Sequence, residues 1–217
     1  MSKHAIALVL AAMLACQANA QSIDAASTAV KSVALEEAEK LAVYWDTPLY
    51  PADAKALNEQ GTAEIGMDYV NGVAVGQPVL ITTSKSPRLD RAAMQIARQV
   101  SFAPEGAAAA TFTRRLRIPI EFVRDSHLTL KDKTCRELND DVAYFRSIHP
   151  GVTLHKMRVY ELMLGIYSIA YLQLDMASAI KASKAVPLAF DAVVAGCQAQ
   201  PGALFSDLLK AEVKQRM

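Results

Sequence analysis

Between Thr62 and Tyr69 the chain alternates strictly, with Ala63, Ile65, Met67 and Tyr69 apolar and Glu64, Gly66 and Asp68 between them. A period of two lets a strand bury one face and solvate the other. Asn71-Gly72 follows directly and supplies the positive φ angles of a tight hairpin, so the apolar, β-branched run Val73–Thr83 reads as the returning strand. The period then changes. Ser86-Pro87 and Asp90 open a helix that gathers Leu89, Ala92, Ala93, Ile96, Ala97 and Val100 on one side and turns Arg88, Arg91 and Arg98 outward, until Phe102 and Pro104 end it. Beyond the small residues Ala107–Ala110, alternation returns: Phe112, Leu116, Ile118, Ile120 and Phe122 face one way, and Thr113, Arg115, Arg117 and Glu121 the other. The order is ββαβ, a small sheet with a helix on one face.

Two helical stretches flank this unit. Ahead of it, Ile23–Tyr44 has Val30, Val33, Ala34, Ala38, Leu41 and Ala42 at helical spacing behind a Ser27-Thr28 cap. Pro48 and Pro51 then break the chain and frame Trp45 and Tyr50, apolar residues placed to seal the sheet unit. Behind it, from Ser126, everything reads as helix. Lys133–Ser147 ends at His149-Pro150-Gly151, and Leu154 to about Met176 carries an apolar stripe through Met157, Tyr160, Leu164, Tyr167, Ile169 and Tyr171. Ala177–Val186 and Leu188–Cys197 form two further pieces around Pro187, and Phe205–Arg216 closes the chain. The expected fold class is α+β: an antiparallel sheet with a packed helix, then an all-α bundle.

The N-terminus changes where this protein is expected to work. Lys3 and His4 precede the apolar run Ala5–Ala15 and the triplet Ala18-Asn19-Ala20. That is the layout of a secretory signal peptide cleaved between Ala20 and Gln21. The run is shorter than the roughly 20 apolar residues that span a bilayer. Two alternatives, lipidation of Cys16 or an uncleaved anchor, would tether the chain to a membrane. The expected organisation is thus a signal peptide over 1–20, a helix over 21–47, the sheet unit over 48–124 and the helical unit over 126–217.

With 23 Lys and Arg against 22 Asp and Glu the chain is close to neutral, so no overall field draws it to nucleic acid. Cys135 and Cys197 outlast the signal peptide, and an even pair in an oxidising compartment reads as a disulfide. Closing that loop is worth roughly 4 kcal/mol in the chain-entropy model. The histidines His127, His149 and His155 have no zinc-ligand spacing with the cysteines, and the chain has no GxSxG, HExxH or phosphate loop. No catalytic residue, metal, cofactor or small-molecule substrate is expected.

The segment from Tyr50 to Val123 resembles the C-terminal domain of TonB. The resemblance rests on Tyr50-Pro51, Gly61 before the first strand, Asn71-Gly72 at the hairpin, Leu89-Asp90 with Ala92-Ala93 at the helix start, Phe102-Ala103-Pro104 after it, and Ile118-Pro119-Ile120-Glu121-Phe122 in the last strand. It implies a non-enzymatic binding module of the periplasm that takes an extended segment of an outer-membrane or envelope protein onto a sheet edge. The last strand is the expected edge, with Thr113, Arg115, Arg117, Ile118, Pro119 and Glu121 as partner-binding residues. Pro119 suits an edge because it has no N–H to donate, and Arg115 and Arg117 favour an acidic partner, although charges also blunt a sheet edge against aggregation. The chain departs from the force-transducing members in having no long Pro-rich spacer and in continuing for about 95 residues past the last strand. A soluble adaptor is the expectation.

Lys133–Leu209 more loosely resembles the HdeA family of small helical periplasmic proteins, through Thr134-Cys135-Arg136-Glu137-Leu138, Gly165, Val193-Val194-Ala195-Gly196-Cys197 and Pro201. The resemblance implies a bundle stapled by one disulfide. It also implies an alternative function, an acid-stress chaperone loosened when Glu137, Asp140, Asp141 and Asp175 take up protons. The plainer alternative is a bundle that supports the sheet unit.

Overall fold

The structure, a computed structural model, describes residues 35–101, 113–172 and 175–217. The cleavage site at Ala20 and Gln21, Cys16, and the part of the expected N-terminal helix before residue 35 lie outside these residues.

The chain enters as two short strands, β1 (Leu35–Glu37) and β2 (Leu41–Tyr44), followed by the one-turn helix α1 (Ala52–Lys55). Strands β3 (Gly61–Val70) and β4 (Val73–Thr82) form the hairpin, α2 (Pro87–Gln99) crosses, and β5 (Thr113–Val123) returns. The sheet order is β1-β5-β3-β4, with β2 also on β5. Pairing is antiparallel between β3 and β4 and between β3 and β5, and parallel where β1 and β2 meet β5.

Residues 35–44 therefore form two short strands, not a helix. Leu41 and Val43 fit a strand period as well as a helical one, and β5 offers main-chain partners that an isolated helix would have to forgo. Tertiary pairing overrides so weak a local preference.

One face of the sheet is closed by α2. Ile65, Met67, Tyr69, Leu116, Ile118, Ile120 and Phe122 pack against Leu89, Ala93, Ile96 and Ala97, joined by Val43 and Tyr50. Ser86 caps α2 by accepting the Leu89 N–H at 3.2 Å, with Pro87 in its first turn. Buried Asp90 holds the incoming loop, accepting from the Ser84 amide and hydroxyl at 2.8 and 2.7 Å. Gly61 starts β3 with φ +150°, and a Cβ there would stand 2.8 Å from the Ser84 carbonyl oxygen, so a side chain would meet rigid backbone.

The second unit comprises α3 (Cys135–Ile148), α4 (Arg158–Leu172), α5 (Met176–Ala199) and α6 (Phe205–Arg216). Thr134 and Glu137 form a reciprocal capping box at α3. The apolar stripe predicts one long helix over Leu154 to about Met176; instead a 3-10 turn spans Leu154–Lys156, α4 ends at Leu172, and Asp175 caps α5 by accepting the Ser178 N–H at 2.7 Å. The sequence also predicts a break at Pro187, but α5 runs through that proline. Buried Ala185, Val186, Ala189 and Phe190 dock the helix on both sides of the break, which offsets the missing main-chain bond. Cys135 and Cys197 form the disulfide, inside a core of Leu138, Val142, Met163, Phe190, Phe205 and Leu209.

Buried charges fasten the two units together. Lys133 Nζ lies 2.8 Å from Asp125 and 2.5 Å from Asp141, and Asp141 also accepts from Arg124 at 2.7 Å and Gln60 at 2.8 Å. Arg124 reaches Asn58 as well and lies over the Trp45 ring, 4.6 Å from its centroid. Burial pushes the Asp125 carboxyl above the usual range, against the opposing pull of the Lys133 charge.

Candidate partner-binding edge

Among the described residues, β4 has no strand on its outer side, whereas β5 is flanked on both. This corrects the expectation that the last strand is an open edge: β1 covers Arg115–Arg117, and β2 covers Ile120–Val123. The physical reason is visible in the main chain. Ala38 donates its N–H to the Arg117 carbonyl at 2.8 Å, and Trp45 donates to that of Val123 at 2.9 Å, so the odd-numbered residues of β5 turn their polar groups away from β3 and toward this outer side.

Pro119 belongs to that odd-numbered set, and its missing N–H falls between β1 and β2. The register also changes there. Leu35 pairs with Arg115 but Leu41 with Ile120, so the incoming segment carries one extra residue across the gap. Proline thus marks the place where outer pairing is interrupted.

The six expected contact residues separate into different environments. Thr113 is exposed at the start of β5. Arg115 is engaged by Asp68 at 2.9 Å, and Arg117 stands 4.0 Å from Glu64, both on the face away from α2. Arg117 Nε is enclosed and, among the described residues, has no hydrogen-bond partner. Ile118 is fully buried in the core and presents no side chain to a partner, and Glu121 pairs with Lys40 at 2.9 Å. The sequence reading missed Arg114, which lies 3.8 Å from Glu36 of β1. Its signal was its place in the run Arg114-Arg115-Leu116-Arg117, but only the register decides which arginine meets the incoming strand.

The strands on this edge are held unequally. In and beside β2, Val43 enters the core, Trp45 stands 4.9 Å from Tyr50, and Lys40 is tied to Glu121. All three residues of β1 are exposed. On the sheet face away from α2, Leu35 borders a hollow of 320 Å³ with Gly66, Met67, Asp68, Gln77, Val79, Ile81 and Arg115. Gly66 leaves the floor open, since a Cβ there would meet the Ile81 side chain at 3.2 Å.

The open edge is less suited to a strand. Between Val75 and Val79, the partners of Asp68 and Gly66, β4 carries Gly76-Gln77-Pro78 as an irregularity, with Gly76 at φ +78°. A bulge containing proline leaves two short arms where a continuous row of donors and acceptors would be needed.

Among the described residues no helix is long and apolar enough to cross a membrane. Neither the curated proteins nor the solved structures compared with this chain give a match. Residues 46–123 match the family model of the Gram-negative bacterial TonB protein C-terminal. The match stops at the end of β5, so the HdeA-like resemblance of the helical unit rests on that unit's own residues, and β1 and β2 lie ahead of the matched segment. Together with the sheet just described, this makes residues 46–123 a TonB C-terminal-like segment, set in a chain with added outer strands and a disulfide-linked helical unit.

Proposed function

We propose that the sheet unit binds an extended segment of an outer-membrane or envelope protein along the outer edge of β5, acting as a periplasmic adaptor. The observation that carries this reading is the occupancy of that edge. A short extended strand from outside the family-matched segment already lies there in parallel, joined through main-chain pairing to Arg115–Arg117. Main-chain pairing gives strand addition its affinity, and the side chains beside it give selectivity. The bulge in β4 makes the opposite edge the poorer receiver.

Photoreactive residues placed singly at Thr113 and at Thr82 of the full chain, in a Gram-negative host, test this. A crosslink from Thr113 to an envelope protein, lost on adding Arg117→Pro, is the expected result. The Arg117 N–H points to the outer side, so proline there spares the pairing with β3. Crosslinks from Thr82 alone would move the site to β4, and a Thr113 crosslink indifferent to the proline would rule out main-chain pairing.

A further inference from the structure

We infer that β1 is a built-in occupant of the partner edge, and that its sequence Leu35-Glu36-Glu37-Ala38 describes the partner segment: an apolar residue, two acidic residues, then a residue with a free N–H. The inference rests on the strand-addition reading above and adds the partner's chemistry and a means of control.

Each position of β1 meets a feature suited to it. Leu35 sits at the rim of the 320 Å³ hollow, where Val79 and Ile81 offer an apolar surface and Gly66 leaves room. Glu36 turns to the opposite face, toward Arg114 at 3.8 Å. Glu37 is paired in register with Arg117, whose Nε is a buried donor without an acceptor among the described residues while β1 is seated. A partner carboxylate that accepts from this nitrogen would satisfy it, so the seat favours an acidic segment. Ala38 supplies the N–H that reaches the Arg117 carbonyl.

The same strand is built to leave. None of its side chains is buried, its one ion pair among the described residues is exposed and long, and exposed pairs contribute little. Pro119 has no N–H to donate at the junction, so β1 can separate while β2 stays fixed through Val43, Trp45 and the Lys40–Glu121 pair. An intramolecular strand lowers the apparent affinity of any competitor by the fraction of molecules in which the edge is free.

The test is fluorescence anisotropy with a labelled LEEAEK peptide, copying Leu35–Lys40, on the full chain and on the full chain carrying Glu36→Lys and Ala38→Pro. Trp45, the single tryptophan of the chain, reports whether β2 stays in place. The altered protein should bind the peptide at least about tenfold more tightly than the parent. A charge-reversed LKKAEK peptide should bind worse than LEEAEK, and adding Arg114→Glu should narrow that difference. Should Trp45 emission show that the double variant unfolds, Arg114→Glu alone gives the same comparison of the two peptides. Equal binding of LEEAEK by parent and opened chains would overturn the built-in occupant while leaving strand addition intact. Equal binding of the two peptides would overturn the acidic preference. Binding of neither, by an opened chain with native Trp45 emission, would overturn strand addition at β5 itself.

Discussion

The sheet unit and the helical unit bury their apolar residues in different ways. In the sheet unit the alternating residues of β3 and β5 meet one helix, and the core closes from Leu116 to Phe122 of β5 and along β3 without a covalent link. In the helical unit the core gathers around Cys135–Cys197 and the base of the α4–α5 pair and thins toward the far end, where Ile169 is 63% and Met176 64% exposed. Periodicity suffices to close a layer, because each strand residue faces either the core or solvent. A bundle whose helices are apolar on more than one side needs something further to fix which sides meet. Here the disulfide and the buried charges of Lys133, Asp125 and Asp141 do so.

The sharpest way to break the contrast is to strike the junction that both units share. Lys133→Met leaves the carboxylates of Asp125 and Asp141 facing one another with Arg124 as the remaining cation of the cluster, and loss of one partner from a buried ionic cluster costs about 3 to 5 kcal/mol. Chemical denaturation should show that loss at neutral pH, with the two units unfolding in separate transitions. The penalty should shrink in mild acid, because Asp125, with its carboxyl already raised by burial, then becomes neutral in the folded state.

Removing the covalent link should separate the units next. Cys135→Ala with Cys197→Ala opens a loop of 62 residues and should destabilise the helical unit by about 2 to 4 kcal/mol. Hydrogen exchange should rise in α3 and α5 and leave β3 and β5 protected; equal loosening of the sheet would mean that the units fold as one.

Gly61→Ala strikes the sheet side. With φ at +150° and the Ser84 carbonyl in the way, the added methyl should cost about 1 to 3 kcal/mol, seen as a lower melting temperature and faster exchange in β3. The smallest effect belongs to the α3 cap. Burial raises the Glu137 carboxyl, but the Thr134 amide and hydroxyl that donate to it outweigh burial and hold it below its ordinary value. A depressed folded-state value means that the contribution is present above the unfolded carboxylate range and is lost as pH falls through the folded one. Thr134→Ala should cost about 1 kcal/mol at neutral pH and less in acid, when the parent has lost the same contact.

Much of the sheet unit was legible in its residues. Asn71-Gly72 announced the hairpin, Ser86-Pro87 the start of α2, and the alternation of β3 and β5 named the buried side chains one by one. The candidate site was legible only in part. Arg115 and Arg117 drew attention by their charge, yet Asp68 and Glu64 of the neighbouring strand attend to them, and Arg114 meets β1. In the helical unit, Pro187 reads as a break, and only packing against α4 shows that the helix continues past it.

The sequence by itself determined which residues of β3, α2 and β5 face the core and where the hairpin turns, because these follow from local period and from the φ angles that a few residues permit. It also named the two cysteines that pair. Which strand lies at an edge was left to the tertiary structure, because an edge is defined by what comes to lie beside it. For β5 that neighbour is a segment whose own pattern suits helix and strand alike, and main-chain pairing along the outer side of β5 settles it as a strand.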